Sequence, residues 1–562
     1  MTVMDARPRW WRDWRYPAAA AGFGAAAALA GAAASGGRVA WAQRYVGGGY
    51  HRLIADEICA RFDAWVGPAV AIVLAGMVAV RLLRRRAPAT RLPIGLGLSL
   101  LGLVLVLRGA VALDRLRLAS GPNVVLISID TLRADHLGGY GYEQATSPVI
   151  DQRLAAAGVV FERCLSQSPK TTPSHMTMFT SLYPCVHGVS LWEGAGPGPV
   201  LNPAVHTLAE VLKNAGYATG AFTGRGHVHR SRGFGQGFDV YRHRRLYGRE
   251  PDGRPRELDE ALEWMRSNRH RKFFLFYHTY AVHDPYLPPA ELVEASDDGG
   301  YRGPLRQVVG QLRGGAREWN DAHRVFWDAV DTSDPVAVRF LERLYDGAIR
   351  HADGALVGAL LDRLDELGLA DETLVVFTSD HGEAFGEHGR FLHGDLHVET
   401  LHVPLVLRFP GRLPAGTRVR APARLLDLMP TVLDLVGLPV PADIQGRSLV
   451  PLIFASGPAG DGDVTSEFND GRAEGSFASI RRGGLTYIVD GGREQLFDHV
   501  RDPEERRDLA PGRAAELEAM RRELALWQTE CRRRRAGLGP GTETVAPDAG
   551  TLDQLRALGY VE

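Results

Sequence analysis

Asn123-Val-Val-Leu-Ile-Ser-Ile129, running directly into Asp130, is the stretch whose reading decides the fold. It is apolar and rich in β-branched residues, with no polar alternation. That pattern marks a strand buried on both faces, as in a parallel sheet. A second run of the same kind, TLVVFT at 373–378, ends in Ser379-Asp380-His381-Gly382-Glu383. A third, at 273–278, leads to His283-Asp284-Pro285. Further strands are expected at 218–222 and 403–409. Helical patterns fall at 148–158, 205–215, 257–267 and 336–367. Strands alternating with helices predict an α/β sandwich around a mostly parallel sheet. The Gly-containing stretch 296–334 reads as an irregular insertion at the rim of the site. Beyond about residue 455, short strands at 477–481 and 485–489 and a charged helix at 514–531 read as a smaller C-terminal subdomain.

In an open α/β sheet, ligand-binding groups gather at the carboxyl ends of strands. Here those ends carry Asp130, Asp380, His381 and Glu383, with His283 and Asp284 shortly after a third strand. Each alone is an ordinary loop acid or helix cap. Together, oxygen and imidazole donors converging on one sheet edge suit a hard or borderline divalent cation.

Composition narrows the classes. The chain has 562 residues, 65 basic against 66 acidic, a net charge of −1. That balance argues against nucleic acid as a partner, since no global positive field exists to hold it. At 45% hydrophobic and 23% charged residues, the chain is globular rather than disordered. The four cysteines, Cys59, Cys164, Cys185 and Cys531, show no CxxC spacing, which excludes a thiolate zinc site and a disulfide-dense scaffold. A Cys164–Cys185 bridge stays open as an expectation for an oxidising compartment.

Residues 1–120 read as a membrane module. Apolar stretches at 16–37, 65–80 and 92–107 each approach the ~20 residues that cross a bilayer core. A cleaved signal peptide is the alternative for the first, and a buried helical hairpin for the other two. Arg7, Arg9, Arg12 and Arg15 precede the first stretch, and Arg81, Arg84, Arg85, Arg86 and Arg91 separate the second from the third. The positive-inside rule puts both clusters in the cytoplasm and everything after about residue 118 outside. The expected organisation is a membrane module at 1–120, a catalytic domain at 121–455 and a C-terminal subdomain of the same fold at 456–562.

Three pieces of sequence resemble the sulfatase family of the alkaline phosphatase superfamily. They are Asn123 to Gly138 (NVVLISIDTLRADHLG), Thr171 to Ser181 (TTPSHMTMFTS), and Ser379-Asp380-His381-Gly382-Glu383 with Gly386-Glu-His-Gly389. Val403-Pro-Leu405, Phe409-Pro-Gly411, Leu496-Phe-Asp498 and Asp502-Pro-Glu504 continue the likeness towards the C-terminus. The resemblance implies an alkaline-phosphatase-like sandwich and a metal-dependent hydrolase of sulfate or phosphate esters. Asp130, Asp380 and His381 would be metal ligands, joined by Thr171. The ion would be calcium by likeness to sulfatases, or manganese, magnesium or zinc by likeness to the phosphoryl-transfer relatives. Thr171, two residues before Pro173, would occupy the nucleophile position. His283 would contact substrate, and His393 the sulfate or phosphate oxygens. Arg225 lies roughly where an active-site lysine often falls.

The departures carry chemistry. Sulfatases place Cys or Ser at the nucleophile position, in Cys/Ser-x-Pro-x-Arg, and oxidise it to formylglycine. Here Thr171 stands there and His175 replaces the arginine, as a candidate substrate-binding residue. Formylglycine is therefore not expected. Thr131 replaces the usual second acid after Asp130. A plain alcohol cannot expel sulfate by re-forming an aldehyde, whereas a phosphothreonine can be resolved in line by water or an alcohol. Membrane-anchored lipoteichoic acid synthases and phosphoethanolamine transferases, which use threonine, are similar in layout. The alternatives to a sulfatase-type hydrolase are thus a phosphoryl transferase acting on envelope lipids or glycans, and an inactive sulfatase-like binding protein. Thr171-Thr172 also reads as a helix N-cap before Pro173.

The charge asymmetry makes a direct prediction. An alkaline phosphatase reporter fused after Ser120 should be active, and a reporter that works only in the cytoplasm should be silent at the same junction.

Overall fold

A computed structural model describes residues 121–190, 198–224, 226–244, 255–296, 300–313, 319–455, 462–468, 477–538 and 544–545. The apolar stretches at 16–37, 65–80 and 92–107, and Arg225, lie outside the described residues. Among the described residues no helix is long and apolar enough to cross a membrane.

Eight strands form the main sheet: β1 (Asn123–Ile129), β2 (Val159–Phe161), β3 (Ala218–Gly224), β4 (Val240–Arg244), β5 (Phe273–Thr279), β6 (Thr373–Thr378), β7 (Leu405–Arg408) and β8 (Thr417–Val419). Their order is β8-β2-β7-β6-β1-β5-β3-β4. Neighbours are parallel except where β7 runs against β6 and β2. The run at 403–409 therefore gives the one reversed strand of this sheet, a direction its apolar sequence does not encode.

The central β1 is buried along its whole length, as its unbroken apolar run requires. One face packs under the helices Arg256–Asn268 and Pro335–His351, through Val125, Ile127, Leu275, Tyr277, Leu258, Met265, Phe340 and Leu344. The other carries helix α1 (Thr171–Thr180), whose ten residues are all buried and whose Phe179 meets Phe276 edge-on at 4.9 Å. This is a helix–sheet–helix sandwich. The helix expected over 336–367 continues from Pro335–His351 through a π-helical turn, Ala352–Gly358, into Ala359–Glu366.

Two expectations are corrected. The segment 296–334 is not irregular: it contains helices α2 (Pro304–Arg313) and α3 (Trp319–Asp328). Leu305 and Val309 in α2, and Ala322 and Phe326 in α3, each stand four apart and are buried, so both helices present an apolar stripe to the core. Glycines and arginines between these positions hid that period. The second correction is at sulfur: Cys164 and Cys185 are unbridged, and Cys185 lies beside Cys531 instead.

Strands β9 (Val464–Glu467), β10 (Phe477–Arg482), β11 (Leu485–Asp490) and β12 (Arg493–Asp498) form an antiparallel sheet. Helix Ala514–Gly537 covers one face through Met520 and Leu524. The other face, with Phe477, Ile488 and Phe497, packs on Leu165, Leu396 and Leu401 of the larger sandwich. Residues Leu118–Glu562 constitute one compact unit.

If α3 is a core helix, Phe326→Ala should cost about 3–5 kcal/mol through the cavity it leaves. Denaturant unfolding reads this directly. A shift below about 0.5 kcal/mol is what a loose surface loop would give.

Candidate active site

Parallel register brings the ligands together. Ser128 of β1 pairs with Thr378 of β6 and with His278 of β5, so Asp130 and Asp380 leave adjacent strands at the same level. The turn after β1 then locks them. Thr131 adopts φ of 58°, a left-handed conformation that is costly for a β-branched residue. This aims its backbone N–H at Asp380 Oδ1, 3.3 Å away, while its hydroxyl donates to the Asp130 carbonyl at 2.7 Å. The Ser379 hydroxyl accepts from the Leu132 N–H at 2.9 Å, tying the two turns together.

Asp130, Asp380 and His381 are fully buried, and one donor atom of each lies within 4.8 Å of the others. His381 Nδ1 meets the Gly382 carbonyl at 3.0 Å, which places its proton there and leaves Nε2 as a bare donor. That Nε2 lies 3.5 Å from Asp380 Oδ2 and 3.8 Å from Asp130 Oδ1. Both of those oxygens are buried without a hydrogen-bond partner. Burial pushes the Asp130 carboxyl up to about 7, and the Asp380 carboxyl up to about 8 with repulsion from Asp130 added. Two crowded carboxylates with unmatched oxygens and one bare imidazole nitrogen are a donor set that fits a divalent cation.

Thr171 is the first residue of α1, with Lys170 in the extended cap position, so the helix begins on the threonine rather than being capped by it. Its Oγ1 lies 3.4 Å from Asp130 Oδ2 and 3.3 Å from His381 Nε2, among the ligand atoms. The positive end of the helix dipole faces the same point.

His175, one turn along α1, is wholly buried. Its Nδ1 meets the Thr171 carbonyl at 2.9 Å and its Nε2 meets Ser128 Oγ at 3.0 Å. Nδ1 also lies 3.5 Å from Asp380 Oδ2. Both nitrogens are thus spent on the scaffold, which corrects the substrate-binding expectation for His175. It is a positioning residue behind the ligands.

His283 and His393 are together, with ring centres 5.3 Å apart, and His393 is 4.5 Å from His381. Burial opposes charge on His283, yet the adjacent Asp284 carboxylate outweighs it and pushes the pKa up to about 10. His283 Nδ1 lies 3.1 Å from Asp284 Oδ1, while its Nε2 is buried with no partner. Asp284 is clamped from behind by α3, through His323 Nδ1 at 2.6 Å and the Trp327 indole N–H at 2.9 Å. The segment expected to be irregular therefore holds the carboxylate that faces a site histidine. Glu383 accepts from the Tyr286 hydroxyl at 2.9 Å and meets His393 Nδ1 at 2.9 Å. Burial and then Asp284 push its carboxyl up to about 8.

Three residues near the site were not singled out in the sequence. His278, the penultimate residue of β5, lies 3.4 Å from Asp130 Oδ2, and burial pushes its pKa down to about 3. Its signal was a histidine interrupting an aromatic strand. His227 follows β3 in Gly224-Arg225-Gly226-His227, and feels the charges of His283, Lys170 and His393. Lys170 acts electrostatically on Glu383, His381 and His393. Its signal was plain: it is one of three lysines in the chain and precedes Thr171.

Asp130→Asn or Asp380→Asn should lower bound divalent metal by one equivalent, read by elemental analysis of the purified protein. Unchanged stoichiometry in the double variant would place that cation elsewhere. In metal-free protein the two raised carboxyls hold protons that the unfolded chain has released. Their contribution to stability thus falls as pH rises from about 4 to 8. Stabilisation by added divalent cation should consequently be larger at pH 8 than at pH 5, and this difference should shrink in either Asn variant.

The sulfatase family model matches residues 122–438. A second model, the C-terminal region of N-sulphoglucosamine sulphohydrolase, matches residues 386–526. Arylsulfatase K of Rattus norvegicus is 25% identical over 437 residues, 70% of this chain and 76% of the relative. Steryl-sulfatase of Mus musculus is 28% identical over 537 residues, 76% of this chain and 84% of the relative. Among solved structures, a protein in complex with its substrate D-glucosamine-2-N,6-O-disulfate superposes with a TM-score of 0.58 at 21% identity, covering 74% of this chain and 99% of that one. The phosphonate monoester hydrolase of Agrobacterium radiobacter gives a TM-score of 0.55 at 24% identity, covering 74% and 96%. The chain belongs to the sulfatase family, ester hydrolases of the alkaline phosphatase superfamily.

Proposed function

We propose that this chain is a metal-dependent ester hydrolase in which Thr171 is the nucleophile, and that it favours phosphate-type esters over sulfate esters. The observation that carries this reading is the Thr171 hydroxyl at the first position of α1, 3.4 Å from Asp130 and 3.3 Å from His381. A divalent cation held by Asp130, Asp380 and His381 supplies the positive charge that makes such a hydroxyl ionisable near neutral pH and offsets charge on the transferred group.

The chain's own groups then do the following. Thr171 Oγ gives its proton to Asp130 Oδ2, its hydrogen-bond acceptor in the structure, and attacks phosphorus. The bond from phosphorus to the leaving oxygen breaks as that oxygen takes a proton from His283, which is protonated and has an unengaged Nε2. Water attacks the phosphothreonine next and gives a proton to the now neutral His283; the Oγ–phosphorus bond breaks, phosphate leaves, and Thr171 takes back the proton held by Asp130. A lipid or glycan hydroxyl in place of water gives transfer instead of hydrolysis. His393, oriented by Glu383, and Lys170 provide polar contacts for the ester's remaining oxygens. The sulfate branch lacks the second half of this cycle, because a sulfothreonine has no aldehyde to re-form. The opposing reading, sulfate-ester hydrolysis, is favoured by the arylsulfatase and steryl-sulfatase relatives.

The same proposal places the reaction outside the cytoplasm, with residues 1–120 as a multi-pass anchor and an envelope glycan or lipid as the substrate's carrier. Its support is the arginine asymmetry across three apolar stretches.

Chromogenic phosphate monoesters, phosphate diesters and sulfate esters, each run with calcium, manganese, magnesium and zinc, test the chemistry. Phosphate-type esters should turn over fastest. Thr171→Ala should cut that turnover at least about a thousandfold with metal content retained, and Thr171→Ser should keep part of it. Fast cleavage of an aryl sulfate, undiminished in Thr171→Ala, would defeat the threonine mechanism.

A further inference from the structure

A second constellation of ligand-type side chains lies on the segment that follows β6, and it shares no residue with the first. His388, His397 and Glu399 each offer one donor atom, and these atoms lie within 4.8 Å of one another. We propose that these three residues form a second divalent-cation site, suited to zinc.

The local chain builds the cluster. His388 sits at φ of 55° between Gly386 and Gly389, which both have positive φ, so its side chain is turned back against the protein. The side chain is only 15% exposed. His397 stands at the N-cap position of the short helix Val398–Leu401, and Glu399 lies within that helix. His397 and Glu399 are 3% and 5% exposed. The two imidazoles stack at 3.8 Å with 9° between planes, and His388 Nε2 lies 3.6 Å from Glu399 Oε1.

Unmatched atoms point to a ligand. His397 Nε2 and Glu399 Oε1 are buried and have no hydrogen-bond partner. Groups so placed cost stability unless something satisfies them. His397 Nδ1 lies 3.2 Å from Asp395 Oδ1, and the same oxygen accepts the His397 backbone N–H at 2.9 Å. A carboxylate on one ring nitrogen with the other left bare is the arrangement that orients metal-binding histidines.

The donor set selects the ion. Two imidazoles and one carboxylate match a three-residue zinc site with a water as fourth ligand, whereas calcium takes six to eight oxygens. A cleft of about 650 Å³, bordered by Arg133, His388, Glu399, His402 and Arg506, leaves room for that water. Nearby acids are already committed: Glu387 pairs with Arg133 at 2.7 Å, and Glu505 with Arg481 at 2.6 Å. For both imidazoles to meet one ion, the stacked rings must splay, and the glycine-flanked turn that carries His388 is the part able to adjust.

Metal counting on the purified full chain tests this without reference to activity. Chelator-stripped protein is dialysed against zinc, and bound metal is measured. Wild type should hold two equivalents. His397→Gln and His388→Gln should each hold one. Asp380→Asn should retain the equivalent bound by His388, His397 and Glu399. Asp395→Asn should weaken that equivalent by about tenfold to a hundredfold. Cobalt in place of zinc should give a four-coordinate visible spectrum that Asp380→Asn keeps and His388→Gln loses. His388 has an exposed backbone, so its variant remains readable if His397→Gln fails to fold. A wild-type chain that binds one equivalent and loses it in Asp380→Asn overturns the proposal, as does wild-type stoichiometry in His388→Gln.

Discussion

Two carboxylates brought side by side inside a sheet are the constraint on which the rest of this structure rests. Asp130 and Asp380 leave adjacent parallel strands at one level, and both are fully buried. In isolation that is unfavourable: burial drives both towards the protonated form, and repulsion from Asp130 adds to this at Asp380. Much of the surrounding chain manages this cost. The left-handed Thr131 turn gives one carboxylate an N–H. Helix α1 brings its positive end. His381 is held in the tautomer that offers a lone pair, not a proton. These arrangements lower the cost without removing it, since an oxygen of each acid stays unmatched. An acidic pair held in this state fits a role as ligands for a cation.

The same tension explains which parts were legible in the sequence. Strands β1, β5 and β6 announce themselves because a strand buried on both faces must be largely apolar, and few other elements tolerate six or seven such buried positions in a row. Their polar termini were equally visible, which is why Asp130, Asp380, His381 and His283 could be named. What sequence could not show was which polar residues turn inwards. His175 and His278 sit at the right distance along α1 and β5, but facing is a matter of three-dimensional packing. His175 was accordingly read as a substrate contact when both its nitrogens serve the scaffold. His278 was passed over as an ordinary strand residue.

The insertion at 296–334 failed for a different reason. Its helices are short, and each buries an i, i+4 pair rather than a long stripe, so periodicity is weak against scattered glycine and arginine. Yet the segment has a mechanistic consequence. By holding Asp284 through His323 and Trp327, α3 keeps a carboxylate beside His283, which pushes the imidazole pKa up against the effect of burial. A segment without a clear sequence period thus supports a histidine of the candidate site through Asp284.

The position of His175 also limits how far the site could be converted towards sulfate chemistry. The formylglycine motif pairs its cysteine with an arginine at the position His175 occupies. Here that position is closed: the ring packs edge-on against Phe276 at 5.9 Å and His278 at 4.4 Å, with Ser128 and the Thr171 carbonyl on its nitrogens. An arginine is longer and always charged, so it would overfill this space and bury a guanidinium among neutral imidazoles. The acidic group beside that ring is Asp380, with Oδ2 3.5 Å from His175 Nδ1, and it is one of the candidate cation ligands. An arginine there would compete with the metal for its ligand. The threonine and the histidine behind it are therefore coupled: the small ring leaves Asp380 free to act as a ligand, and the proposed threonine chemistry depends on that ligand.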